Sequence, residues 1–134
     1  MGNHVEENND VWNYMYNTNF MTALNCCQQI LPKMKRGGWG RIVNMGAQAA
    51  VNGMPLSGPY CTSKAAVHML TKIIALENGN GVTCNALLPG IIDTPSNRNK
   101  MPEADHDNWV GLNKIAGKIE ALFLSDENGS LIDV

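Results

Sequence analysis

Apolar residues recur every three to four positions from residue 11 to residue 34, at Val11, Tyr14, Met15, Phe20, Leu24, Cys27 and Leu31. That period predicts one long amphipathic helix. Asp10 stands where an N-cap belongs, and Gly37-Gly38 follows a basic last turn and stops the helix. Arg41-Ile42-Val43-Asn44-Met45 then breaks the helical period and reads as a short buried strand closed by Gly46. Residues 47–57 are rich in small side chains and read as a loop. A second helix is predicted over residues 59–78, with Pro59 in its first turn and Gly79 beyond its end. Residues 82–87 form the next predicted strand, broken by Pro89-Gly90, and residues 93–108 are polar and irregular. A helix over 113–124 and a strand over 131–134 complete the pattern.

The order is α-β-α-β-α-β. Strands separated by helices imply right-handed crossovers and a parallel sheet covered on both faces, an α/β fold of the doubly wound, Rossmann-like kind. Three strands make a thin sheet of this type, and the pattern opens on a helix. The usual first half, a strand leading through a Gly-rich turn into a helix N-terminus, is not found in the 134 residues. Gly37-Gly38-Trp39-Gly40 follows a helix and precedes a strand, the reverse of the required context. The expected organisation is a single partial domain over residues 1–134, the C-terminal part of such a sheet without its N-terminal nucleotide-binding half. Residues 1–10 are expected to be a flexible N-terminus.

Composition narrows the function classes. Hydrophobic residues make up 44% and charged residues 16%, which suits a packed core. The formal net charge of −2 leaves no basic surface for nucleic acid, and the group Lys33, Lys35, Arg36 and Arg41 reads as a solvated helix end. The four cysteines, at 26, 27, 61 and 84, have no C-x-x-C spacing, so neither a metal site nor a disulfide framework is expected, and a cytoplasmic setting is. The polar start MGNHVEENND is neither a signal nor a transit peptide, and no apolar run approaches the ~18 residues of a membrane span. Asp93, Asp105 and His106 are wrongly spaced for a closed metal site.

Tyr60 and Lys64 lie four apart in the second long helix, so they project from one face about 6 Å apart along its axis. A phenol titrates near 10, too high for efficient proton transfer at neutral pH, and a neighbouring ammonium is expected to lower it. The pair opens a helix that follows a buried strand and a small-residue loop. That places it at the C-terminal edge of the sheet, where open α/β folds bind ligands. Pro89-Gly90 turns the chain across the same edge.

Taken together, Trp12-x6-Asn19, Gly40-Arg41-Ile42-Val43-Asn44, Tyr60-x3-Lys64 and Pro89-Gly90 resemble the short-chain dehydrogenase/reductase family. The resemblance implies an NAD(P)H-dependent oxidoreductase acting on a small molecule. Tyr60 would be the proton donor, Lys64 would hold the nicotinamide ribose, and Asn19 would hold a water in a proton relay to Lys64. Pro89, Gly90, Ile92 and Thr94 match the segment that contacts the nicotinamide. A homodimer through helices 11–35 and 59–78 is implied as well.

One position departs from the family pattern. The substrate-orienting Ser normally stands thirteen residues before the Tyr, and Ala47 occupies that place. A methyl group cannot donate a hydrogen bond to a developing alkoxide. Either the chain is a weakened enzyme or its substrate does not need that hydroxyl; Ser57, in the same loop, is a possible substitute. A narrower resemblance favours the second choice. Gly46-Ala47-x-Ala49-Ala50, Gly53, Ala66-Val67-His68, Asp93-Thr94-Pro95-x-Asn97-Arg98, Met101-Pro102-Glu103-Ala104-Asp105, Trp109 and Gly129-Ser130-Leu131-Ile132 are similar to quinonoid dihydropteridine reductases. That group also lacks the Ser. It implies a pterin-like acceptor met by Gly46, Ala47 and Gln48, and NADH over NADPH. His68 is assigned to packing, and Met101 with Trp109 to a flexible lid. Two alternatives stay open: a general short-chain reductase of another small substrate, and a truncated, non-catalytic dimerising remnant.

Overall fold

The computed structural model describes residues 4–134. Helix α1 (Asn9–Tyr16) is capped by Asn8, whose side chain accepts from the N–H groups of Asp10 and Val11 at 3.0 and 3.2 Å. The expected cap, Asp10, lies inside the helix instead. Of the expected flexible terminus, residues 1–3 fall outside the described residues, and Asn9 and Asp10 are helical.

The long helix predicted over 11–34 is interrupted. A π-helical turn (Asn17–Met21) separates α1 from α2 (Thr22–Gly37). Such a turn inserts one residue into the helical repeat and swings the following side chains round the axis. Thr22 Oγ1 bonds back to the Thr18 carbonyl at 2.7 Å across this turn. Helix α2 ends at Gly38, whose φ of 67° is the left-handed conformation that glycine reaches without strain.

Strands β1 (Gly40–Met45), β2 (Val82–Leu88) and β3 (Leu131–Asp133) form one parallel sheet in the order β1-β2-β3. Gly40 pairs with Val82 through to Met45 with Leu87, and Ala86 pairs with Leu131. Every residue of β2 is buried, as befits a central strand covered on both faces.

Alternation along the strands separates two cores. Ile42 and Cys84 face Cys27 and Leu31 of α2 and Leu70, Ile74 and Ala75 of α4 (Gly58–Glu77). Val43 and Leu87 face the opposite side, against Ile115 and Leu122 of α6 (Leu112–Phe123) and Val134. Two short helices stand where the sequence pattern suggests only loop: α3 (Ala49–Asn52) and α5 (Pro95–Lys100). All four cysteines are free, and no described helix is long and apolar enough to cross a membrane.

Candidate functional site

The first turns of α4 lie over the C-terminal ends of β1 and β2. A cavity of about 500 Å³ opens there between α4, the turn after β1 and the turn after β2. Tyr60 and Lys64 form one wall, Gly46, Ala47 and Gln48 a second, and Pro89, Gly90 and Ile92 a third. Eight of the ten expected site residues therefore meet in one place. Met101 also lines the cavity and Trp109 does not; Met54 lines it too, as does Asn97, which the sequence motif contained without a role. Asn97 follows Thr94-Pro95, a helix-start signature that was legible but went unused.

Thr94 is not among the cavity-lining residues. Its Oγ1 accepts the Asn97 N–H at 3.2 Å and caps α5, while Asn97 Nδ2 donates to the Ile92 carbonyl at 2.8 Å. Asn19 sits on the π turn and donates to Ser63 Oγ at 2.9 Å, which in turn donates to the Tyr60 carbonyl at 2.8 Å. A second cavity, of about 390 Å³, lies between the π turn, β1 and α4, and both Asn19 and Lys64 line it. Lys64 thus spans the two cavities. Its Nζ donates to the Met45 carbonyl at 2.8 Å.

The expected downward pull of Lys64 on the Tyr60 phenol is not what the folded site shows. Burial pushes the phenol above its ordinary value, and nearby Cys61 adds to the shift. Burial also holds the Lys64 ammonium below its usual range. Desolvation disfavours both charged forms here, and the ammonium is occupied by a backbone carbonyl.

The wall formed by residues 46–48 is tied down atom by atom. Gly46 N–H donates to the Leu87 carbonyl at 2.8 Å, and Gln48 N–H donates to the Pro89 carbonyl at 3.3 Å. Ala47 N–H donates to His68 Nε2 at 3.2 Å. His68, expected only to pack, is therefore a hydrogen-bond acceptor for the cavity wall. Burial, followed by the charges of Lys64 and Lys72, holds its imidazole below the usual histidine range.

The expected lid is also held. Arg98 grips Asp93 through two bonds of 2.6 and 2.8 Å, and this pairing pulls the exposed carboxyl below its ordinary range. Because a guanidinium only donates, His106 Nδ1 accepts from Arg98 at 3.3 Å, which leaves Nε2–H to donate to the Met101 carbonyl at 2.9 Å. Trp109 packs on the His106 ring at 4.4 Å between centroids. Asp105 accepts from Asp107 N–H and Asn108 Nδ2. Among the described residues no group of three His, Cys, Asp or Glu side chains is placed to hold a metal ion.

The sequence model of the short chain dehydrogenase family matches residues 1–105. The chain belongs to the short-chain dehydrogenase/reductase family. A 3beta-hydroxysteroid dehydrogenase of Mediterraneibacter gnavus is 33% identical over 132 residues, 88% of this chain and 48% of that protein. A dihydropteridine reductase of Dictyostelium discoideum is 40% identical over 100 residues, 69% of this chain and 43% of that protein. The solved structure of ElxO with NADP bound is similar over 100% of this chain and 61% of its own, at 26% identity and a TM-score of 0.91. The chain spans about half the length of these curated relatives. Its three-stranded parallel sheet is the Rossmann-like fold of this short-chain dehydrogenase/reductase family.

Proposed function

We propose that the chain carries the catalytic face of an NAD(P)H-dependent reductase of the dihydropteridine type, with Tyr60 as proton donor. The wall opposite Tyr60 carries the reading. Ala47 has no hydroxyl, and the N–H groups of Gly46, Ala47 and Gln48 are all bonded to the protein. A carbonyl substrate builds negative charge on oxygen and needs donors aimed at it, each worth roughly 3–4 kcal/mol at an oxyanion. A quinonoid pterin takes its proton on nitrogen and makes no such demand. The 40% identity with a dihydropteridine reductase supports the same reading.

The residues present fit the nicotinamide end of a dinucleotide. Lys64 offers a cationic donor at the cavity wall for ribose hydroxyls, and the Pro89-Gly90 turn and Ile92 form a face for a flat ring. A bound nicotinamide cofactor, expected to be NADH, supplies the hydride. Tyr60 holds the proton: a phenol raised above its ordinary value stays protonated at neutral pH, as a donor must. Asn19 and Lys64 flank the second cavity, through which a water would reprotonate the site. The exposed stripe Met69, Ile73 and Leu76 on α4, with Leu76 86% exposed, supports a homodimer through α4 and the α1–α2 helices. A cytoplasmic setting fits four free thiols.

A second reading, a general short-chain reductase of another small substrate, draws on the hydroxysteroid dehydrogenase match, which covers 88% of the chain against 69% for the pterin enzyme. Titration with NADH, followed by energy transfer from the tryptophans, tests cofactor binding. No saturable binding favours a non-catalytic remnant. With binding in place, quinonoid dihydropterin turnover is expected to fall by about 10²–10⁴ in Tyr60→Phe. Turnover retained in that variant removes Tyr60 from its role.

A further inference from the structure

We infer that His68 is a positioning residue of the site: it sets the wall at Ala47 by accepting that residue's N–H on Nε2. The inference rests on the reading of the Tyr60 cavity as the reductase site. His68 is only 7% exposed and stands four residues after Lys64 on α4, one turn further along the same face. Lys64 Nζ takes the Met45 carbonyl at 2.8 Å and His68 Nε2 takes the Ala47 N–H at 3.2 Å. Gly46 lies between them, bonded through its N–H to the Leu87 carbonyl at 2.8 Å.

The fit is close. A Cβ at Gly46 would overlap His68 Nε2 and lie 2.7 Å from Cδ2. Hence α4, the helix that carries Tyr60, also carries the two side chains that grip the backbone on either side of Gly46. The separation of proton donor and opposing wall is set within one rigid element.

An apolar side chain at position 68 would fill the volume and leave the Ala47 N–H without an acceptor. A buried donor left unpaired pulls the backbone toward any alternative oxygen, including one on a bound ligand. His68 therefore keeps that amide out of the cavity as well as in register. Acceptance requires a neutral ring protonated on Nδ1. The charged groups acting on the ring are Lys64 and Lys72, both cationic, and they favour that neutral form.

The test uses the 134-residue chain labelled with nitrogen-15. Long-range imidazole spectra at pH 7 are expected to show His68 protonated on Nδ1 and bare on Nε2, with slow exchange of the Ala47 amide. His68→Leu should speed that exchange by roughly 5- to 100-fold, leaving the amides of residues 70–76 unchanged. His68→Gln, whose side-chain carbonyl can accept at the same place, should restore slow exchange. With NADH present, the affinity for 7,8-dihydropterin should fall about fivefold or more in His68→Leu and recover in His68→Gln, with NADH affinity constant throughout. A proton on Nε2, or Ala47 exchange indifferent to both substitutions, overturns the inference. If His68→Leu fails to fold, the wild-type tautomer and His68→Gln decide. A wild-type chain that binds neither NADH nor pterin counts against the proposed function, while the tautomer and amide exchange still decide the role of His68.

Discussion

Two walls of the same cavity are built in different ways. Residues 46–48 are bonded inward, to Leu87, His68 and Pro89, all of them buried. The stretch from Asp93 to Trp109 is anchored at its base by backbone bonds between Asp93 and Val110 and between Val110 and Ile91. Above that base it is held by the surface Asp93–Arg98–His106 network. Bonds to buried partners resist water and salt, whereas exposed ion pairs are screened and contribute little. One wall is a fixed template opposite Tyr60. The other is tied mostly at its own surface, so loosening it is expected to leave the core intact.

The sharpest way to break the fixed wall is Gly46→Ala. Its Cβ would overlap the His68 ring and approach the Leu87 carbonyl at 3.3 Å. A loss of about 1–3 kcal/mol is expected, read as a fall of several degrees in Tm. The same methyl group placed on an open surface glycine such as Gly117 should produce no such fall.

On the other wall, Thr94→Ala removes the α5 cap and should cost about 1 kcal/mol. Hydrogen exchange should then quicken in residues 95–101 while the 46–48 wall stays unchanged. A response spread over both walls would mean that they act as one unit.

Acid separates the walls more gently. The folded state holds the His68 pKa below its ordinary value, so the unfolded chain binds the extra proton first. Stability from this group is complete above the ordinary histidine range and declines as pH falls through the folded pKa. Melting between pH 7 and pH 5 should show this decline, and His68→Gln should reduce it. Smallest of all is Arg98→Ala. Both partners of that ion pair are solvent-accessible, so Tm should be unchanged within error. The effect should appear as faster proteolysis near Met101 and a modest rise in substrate KM, and 1 M salt should mimic it in the wild-type chain.

Local patterning carried most of the fold. The strands differ from their sequence expectation by no more than a residue at either end, and α4 spans Gly58–Glu77 against an expected 59–78. The short helices α3 and α5 escaped because four to six residues hold too little period to rise above a loop. The π turn escaped because a single extra residue leaves the apolar pattern on either side nearly intact.

At the site, the sequence by itself determined the inventory: Tyr60 and Lys64 on one helical face, Ala47 in place of a hydroxyl, and Pro89-Gly90 closing the next strand. Those are properties of neighbours along the chain, where spacing converts directly into geometry. Only the tertiary structure decided how the inventory is wired. It gave Asn19 to Ser63, 44 residues away, and the Ala47 N–H to a histidine 21 residues away. It also raised the Tyr60 phenol where spacing alone suggested the reverse. The reason is the same in each case. Hydrogen-bond partners and desolvation depend on which distant groups the packed sheet and helices bring within 3 Å or so, and no local pattern encodes that.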